Sequence, residues 1–396
     1  MRTLYILTAS QMSGFLCGHL ASMRASGFKP VLCVPEATDA VVKLAAAEGV
    51  PITICPMHRE ISPLGDFLSY IRLVRLILKL KPDMTVTIGP KAGLIGGLAS
   101  ATCQVTCRIQ TKWGIRLETT HGLLRLLLTQ ADKVASACAH LVLCDSKSVR
   151  LRAIELGLVE AEKIQVVASG SANGIDIRRF ELTPTNLANA QDFRRRIGAG
   201  TDAQVIGFVG RVSKDKGLNE LVAAWPLIRA AQQGAILAII GDDECVTQAE
   251  QAQLARLRRM DGVHMLGQQS RLEGIFPAFD VFLLPSHREG FGVVVLEAGV
   301  LGVPTVGFKV TGMKDSVVSG ETGELVELGD VMSLAAATLR YLADKELRVR
   351  HGTAARLRVH AHFRQEIVWA GYFRTFKSIA DSKGLDTGHL AWPGPA

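Results

Sequence analysis

Two short stretches of the chain carry residues whose types and spacing suit chemistry on a charged, hydroxyl-rich ligand. Residues 205–209 are an apolar run of strand length, and Gly210-Arg211-Val212-Ser213-Lys214-Asp215-Lys216-Gly217 follows directly, ahead of a helical pattern over 218–229. Glycines let a backbone approach a ligand closely, and Arg211 and Lys216 set fixed positive charge beside a helix N-terminus, so the loop suits a diphosphate. A solvated basic turn would read the same way. The second stretch leaves the apolar run 281–284 as Pro285-Ser286-His287-Arg288-Glu289-Gly290-Phe291-Gly292 and enters a helix over 293–301 that bears Glu297. Glu289 lies in a loop at a strand's C-terminal end, and Glu297 in the second helical turn can point into the same cleft, where paired acids could bind sugar hydroxyls. For an isolated pair the simpler account is Glu289 capping the helix electrostatically and Glu297 pairing with an arginine.

Strands must deliver these loops, and the pattern provides them twice. In the first half, apolar runs at 4–7, 30–34, 52–54, 85–88, 105–109, 141–143 and 164–167 alternate with helical patterns such as 15–26, 37–48, 64–80 and 146–156. After a polar stretch with Pro184, Asn186 and Asn189, the alternation resumes with runs at 205–209, 236–240, 264–266, 281–284, 305–308 and 323–326. Strand and helix alternating at this spacing predict right-handed βαβ units and doubly wound parallel sheets, which bind ligands at their strand C-terminal ends. The expected organisation is a Rossmann-like domain over 1–180, a linker over 181–200, a second Rossmann-like domain over 201–362, a crossing C-terminal helix over 363–382 and a flexible tail over 383–396, with a cleft between the two domains.

Composition narrows the partners. Of 396 residues, 48% are hydrophobic, 21% charged, and 52 are Gly or Pro, a globular mix. No apolar run approaches the length of about 18 needed to span a bilayer. One positive charge before the short run Leu4 to Leu7 is too little for a signal peptide, so a cytoplasmic location is expected. The eight cysteines lack zinc-site spacing and read as reduced core thiols. Residues 1–180 carry 21 Lys and Arg against 13 Asp and Glu, whereas 181–396 carry 24 of each. With no zinc-finger spacing, aromatic RNA-binding pattern or basic arm, nucleic acid is not expected, and a small or membranous anion is the expected partner of the first half.

Taken together, the clusters resemble the retaining GT-B glycosyltransferases of family 4, over about residues 1–380. The likeness rests on G-R-x4-K-G at Gly210 to Gly217, E-x7-E at Glu289 to Glu297, Gly302-Val303-Pro304-Thr305-Val306-Gly307, and Thr311-Gly312-Met313-Lys314-Asp315 followed by Gly320-Glu321-Thr322-Gly323. The first half is similar to a branch that builds bacterial capsular, exopolysaccharide and other lipid-linked glycans, through Met57-His58-Arg59-Glu60, Pro90-Lys91-Ala92-Gly93, Gly114-Ile115-Arg116-Leu117-Glu118 and Gly170-Ser171-Ala172-Asn173-Gly174.

What the resemblance implies is a GT-B fold whose N-terminal domain receives an acceptor and whose C-terminal domain holds a nucleotide sugar, UDP-linked, as substrate with no cofactor. Arg211 and Lys216 match the diphosphate-binding pair, Glu297 the ribose acid, Glu289 the acid near the donor hexose, and Gly210, Gly290, Phe291 and Gly292 the turns around sugar and phosphate. Gly14, in the first βα loop, matches the approach to the donor phosphate. Arg59, Lys91, Lys112 and Arg116 are candidates to grip phosphate of an undecaprenyl diphosphate acceptor at the inner face of the cytoplasmic membrane; a surface-charge role accounts for them as well. Trp113 departs from the family, where a histidine often precedes the glycine. No D-x-D run occurs, so no metal is expected, and Asp242-Asp243-Glu244 is placed on the nucleobase side. The implied activity is hexosyl transfer with retention to a lipid-linked glycan. The alternative class is a GT-B-like sugar-nucleotide epimerase or a non-catalytic nucleotide-sugar-binding protein.

Overall fold

Strands covered by helices on both sides favour apolar residues at successive positions, and the runs at 205–209, 236–240 and 281–284 are buried throughout. In the computed structural model, which describes residues 1–58, 60–200 and 202–394, the chain divides into two units: 1–174 with 365–396, and 175–364. Unit 1 holds β1 (Arg2–Leu7), β2 (Lys29–Val34), β3 (Ile52–Ile54), β4 (Met84–Ile88), β5 (Cys107–Lys112), β6 (Leu141–Cys144) and β7 (Ile164–Val166). All pair in parallel, in the order β3-β2-β1-β4-β5-β6-β7. Helices α1 (His19–Ala25), α2 (Asp39–Glu48), α3 (Pro63–Leu80), α4 (Gly97–Thr102), α5 (Gly122–Cys138) and α6 (Lys147–Glu155) connect them. Alternate side chains of β1 feed different cores: Tyr5 and Leu7 join one with Phe28 and Phe376, Leu4 and Ile6 another with Leu73 and Ile77 of α3.

Unit 2 opens with α7 (Pro184–Arg196) and builds its sheet from β8 (Val205–Val209), β9 (Ile236–Ile240), β10 (Val263–Met265), β11 (Val281–Leu284), β12 (Thr305–Phe308) and β13 (Gly323–Val326). The order is β10-β9-β8-β11-β12-β13, again parallel. Its helices are α8 (Leu218–Ala231), α9 (Gln248–Arg258), α10 (Val293–Val300), α11 (Met313–Ser316), α12 (Val331–Ala343) and α13 (Lys345–His362), after which α14 (Gln365–Ser382) returns the chain to unit 1.

Two expectations about connecting segments differ from the structure. Much of 181–200, read as a linker, is helix α7, whose Ala190 and Phe193 are buried in the core of unit 2. Thr183 caps it by accepting a hydrogen bond from Asn186 N at 3.1 Å, and Pro184 occupies the first turn, so the Thr-Pro pair that reads as a chain break is a helix start. Residues 383–396 were expected to be a flexible tail, yet as far as 394 they lie on unit 1: Leu390 is buried, Trp392 packs on Phe373 with centroids 5.7 Å apart, and the Met1 ammonium lies 3.1 Å from His389 Nε2. Their Gly and Pro content masked two apolar anchors.

Candidate active site

The chain leaves β8 for β9 on one side and later returns to β11 on the other, which makes the carboxyl ends of β8 and β11 the switch point where open α/β sheets take ligands. Loop 210–217 leaves β8 there and loop 285–292 leaves β11. They touch at Gly217, whose φ is +89° and where a Cβ would sit 2.2 Å from the Pro285 carbonyl oxygen. A third loop, after β12, closes on the second at Gly312 (φ +81°), where a Cβ would be 2.6 Å from Gly290 O and 2.7 Å from Glu289 O. Only glycine fits either position without moving backbone. Glu289 N donates to Thr311 O at 3.3 Å across the same seam.

This packing joins the two motifs through charge. Lys216 Nζ lies 2.6 Å from Glu289 Oε1, with both side chains largely buried. Glu289 therefore answers the lysine of the other motif. Arg211 is held by two carboxylates, Glu244 Oε2 at 2.5 Å and Asp215 Oδ2 at 3.3 Å. Asp215 Oδ2 also lies 3.3 Å from Arg288, and its Oδ1 accepts from Ser213 Oγ at 2.6 Å. Burial works against the charge on Asp215, but the Ser213 hydroxyl and then Arg211, Arg288 and Lys216 outweigh it and hold the carboxyl below its usual range. For Arg211 burial is likewise outweighed, by Glu244, Asp215 and Glu289, so its guanidinium stays charged. His287 lies 2.9 Å from Glu220 Oε1 of α8, and that hydrogen-bonding carboxylate raises the imidazole despite burial.

Glu297 differs from these acids. Among the described residues it forms no salt bridge, and burial pushes its carboxyl up to about 7, opposed by Arg179 and reinforced by Glu273, which pair with each other at 3.0 Å. The result is one neutralised cation pair on a short loop, and one acid with unspent hydrogen-bonding capacity in the second turn of α10.

Residues 189–358 match the family described as Glycosyl transferases group 1, and residues 17–170 match the Glycosyl transferase 4-like domain. The capsular polysaccharide biosynthesis glycosyltransferase CapM of Staphylococcus aureus is 34% identical over 333 residues, 83% of this chain and 86% of that protein. The chain belongs to the GT-B glycosyltransferases of these two groups. An Escherichia coli enzyme described as UDP-Gal:alpha-D-GlcNAc-diphosphoundecaprenol alpha-1,3-galactosyltransferase is 27% identical over 303 residues, 75% of each chain. In fold, Anabaena HepE in complex with UDP and glucose matches with a TM-score of 0.78 at 21% identity, over 96% of this chain and 100% of that one.

Within this glycosyltransferase, unit 2 brings together Gly210, Arg211, Lys216, Glu289, Gly290, Phe291 and Gly292 at the switch point. Phe291 itself is buried against Phe363, with centroids 5.2 Å apart, and Gly292 in left-handed conformation (φ +77°) starts α10. In unit 1, the loops after β1 and β4 meet at the corresponding switch point, where Thr8 Oγ1 accepts from Ala92 N at 2.8 Å. Gly14 lies in an exposed turn with nothing within 4 Å of a built Cβ. Lys91 is bound to Asp66 at 2.8 Å and to the Glu60 carbonyl, and Lys112 is buried against Asp132. Arg116 is exposed, and Arg59 lies outside the described residues. Trp113 meets the ring of Phe15 edge-on, centroids 5.4 Å apart.

Sequence reading missed Asp215, Arg288 and Glu244 as parts of the cation cluster. Glu244, in the segment placed on the nucleobase side, pairs with Arg211. No sequence signal marks the Arg211–Glu244 pair: the loops after β8 and β9 meet through an isolated parallel bridge between Val212 and Asp243, which only the sheet order brings about.

Proposed function

We propose that this glycosyltransferase moves a hexose-type sugar, with retention, from a UDP-linked donor to a lipid-linked glycan acceptor carried on undecaprenyl diphosphate, at the inner surface of the bacterial cytoplasmic membrane. The observation that carries the donor side is the Arg211 and Lys216 pair at the carboxyl ends of β8 and β11, oriented by Asp215, Glu244 and Glu289. Such preorganised cations stabilise charge on a diphosphate leaving group as the glycosidic bond lengthens. Glu297, unpaired among the described residues, has the capacity to accept hydrogen bonds from ribose hydroxyls.

In the proposed step the bond from the anomeric carbon to the phosphate oxygen breaks and the acceptor oxygen bonds to that carbon on the same face. The acceptor hydroxyl's proton passes to the departing phosphate, so no separate base is required. The relatives named for capsule synthesis and for a diphosphoundecaprenol acceptor, together with the basic balance of residues 1–180, support the acceptor side. The test is a matrix of nucleotide sugars against lipid-linked acceptors, with release of nucleoside diphosphate measured and the product anomer assigned by NMR. Acceptor-dependent release and an axial product are expected. Interconversion of donor sugars without acceptor would assign an epimerase instead.

A further inference from the structure

At the edge of the unit 1 sheet two thiols share one face. β3 is the edge strand, and its register against β2 pairs Cys33 with Thr53 and Val34 with Ile54. Side chains alternate along a strand, so Cys55, two positions past Thr53, lies on the same face as Cys33. Cys55 N donates to Val34 O at 2.9 Å, which carries the register one residue past the strand. Both side chains are buried in one core with Leu4, Ile6 and, from α3, Leu73 and Ile77. The Cys33 thiol hydrogen-bonds the Cys55 sulfur; this bond, together with the Arg72 guanidinium, outweighs burial and holds the Cys55 thiol below its usual range. The same contact, with burial, pushes Cys33 well above it. At the other buried thiols burial prevails, raising Cys107 to about 11 and Cys144 to about 12.

A cavity of about 280 Å³ between β3 and α3 is lined by Cys55 and Arg72 but not by Cys33. At about 30 Å³ per water, it admits a small oxidant to a thiol that is otherwise 2% exposed. An ionisable thiol that a solute can reach, backed by a second thiol, is the arrangement of a redox-active cysteine and its resolving partner. We propose that Cys55 is a modification site for small hydroperoxides, with Cys33 as the thiol that resolves it. The Cys55 thiolate attacks one peroxide oxygen, the O–O bond breaks, and the other oxygen leaves and takes up a proton, so that Cys55 becomes a sulfenic acid. The Cys33 sulfur then attacks the sulfenic sulfur, the S–O bond breaks, and the hydroxyl departs as water with the Cys33 proton. With hydrogen peroxide the sum is a pair of thiols oxidised to a disulfide and the peroxide reduced to water. Diagonal neighbours in a sheet stand roughly 7–8 Å apart between Cα atoms, just beyond the usual disulfide span of about 4.4–6.8 Å. Closure therefore needs a shift of about 1 Å, which an edge strand with a single neighbour can make, and a bond made at that span is easily reduced again.

Hydrogen peroxide added to the reduced full chain tests it. Peptide mass spectrometry without reductant should find Cys33 joined to Cys55, with Cys107 and Cys144 still reduced, and dithiothreitol should reverse the link. In Cys33→Ser the bond cannot close, and dimedone should label Cys55 as the sulfenic acid. In Cys55→Ser, Cys33 should stay reduced. Arg72→Gln keeps both thiols, so it guards against a folding artefact of the cysteine variants, and it should slow formation of the link severalfold. If Cys33 and Cys55 both remain reduced once the exposed Cys17 has oxidised, the site is overturned. Either thiol joined to a different cysteine or to another chain overturns it too, as does an unchanged rate in Arg72→Gln. Dimedone labelling of Cys55 in the wild type with no link to Cys33 would refute the resolving role. Oxidation is read with neither donor nor acceptor present, so the outcome is separate from that of the proposed transfer reaction.

Discussion

At the residue scale, the pairing of Lys216 with Glu289 makes the two acids unequal. In the proposed reaction Glu289 holds a cation that faces developing charge, so Glu289→Gln should lower kcat with donor KM nearly unchanged, and Lys216→Ala or Arg211→Ala should lower kcat by roughly 10²–10³-fold. Steady-state kinetics on folded variants decide this, and wild-type kcat in Glu289→Gln would refute the assignment. Glu297 gives a pH prediction. Its carboxyl titrates near 7 in the folded chain against an ordinary 4.5, so the folded state binds the extra proton between those values. Stability should therefore fall as pH rises from about 4.5 to 7 and then level off, by about 2 kcal/mol once partial exposure is allowed for. Urea midpoints at pH 5 and pH 8 should differ accordingly in the wild type and converge in Glu297→Gln. If Glu297 accepts from ribose hydroxyls, as proposed, they donate to its ionised form, so donor KM should also fall as pH rises through 7, and this dependence should vanish in Glu297→Gln.

At the scale of elements, the site depends on loops that approach more closely than side chains allow. Gly217→Ala places a Cβ 2.2 Å from the Pro285 carbonyl with φ at +89°. Left-handed strain plus the required backbone shift should cost about 2–4 kcal/mol and separate Lys216 from Glu289. Thermal unfolding combined with kcat would show both effects together. The start of α7 offers a milder counterpart. Thr183→Ala removes one cap hydrogen bond and should cost about 1 kcal/mol with catalysis unchanged, read from urea midpoints.

At the scale of the whole molecule, unit 1 is closed by chain from both ends. Residues 365–394 return to it, with Val368, Tyr372, Phe373 and Phe376 of α14 buried in the same core as β1 and Leu390 beside them. The last segment is also tied by backbone, since Ala391 N donates to Ser26 O at 3.3 Å. Truncation after Ser382 removes Leu390 and Trp392 and should destabilise unit 1 by about 3 kcal/mol from lost apolar burial. Hydrogen exchange should show the loss in α1 and β2, with unit 2 unaffected; unchanged protection there would mean that the segment contributes no stability.

Strands such as β8, β9 and β11 were legible because they are buried and apolar throughout, whereas β5, with Arg108, Gln110, Thr111 and Lys112, lies two to three residues beyond the apolar run at 105–109. The loops of the site were legible because glycines and charges interrupt the pattern at fixed places. Helices α5, α9 and α13 were not read as such: α5 begins with Leu123, Leu124, Leu126 and Leu127 exposed, so its apolar residues do not mark a buried stripe. The partners of the charges were hidden for a different reason. Lys216 and Glu289 are 73 positions apart, and Arg211 and Glu244 are 33 apart; their meeting depends on β8 lying between β9 and β11 in the sheet. Lys91 and Lys112, which the sequence offered equally as grips for phosphate or as surface charges, are paired with Asp66 and Asp132. Local pattern reports which residues must be buried and where the backbone must bend, since both are set by neighbours along the chain. Which charges neutralise each other is set by distances across the sheet, and those exist only once strand order is established.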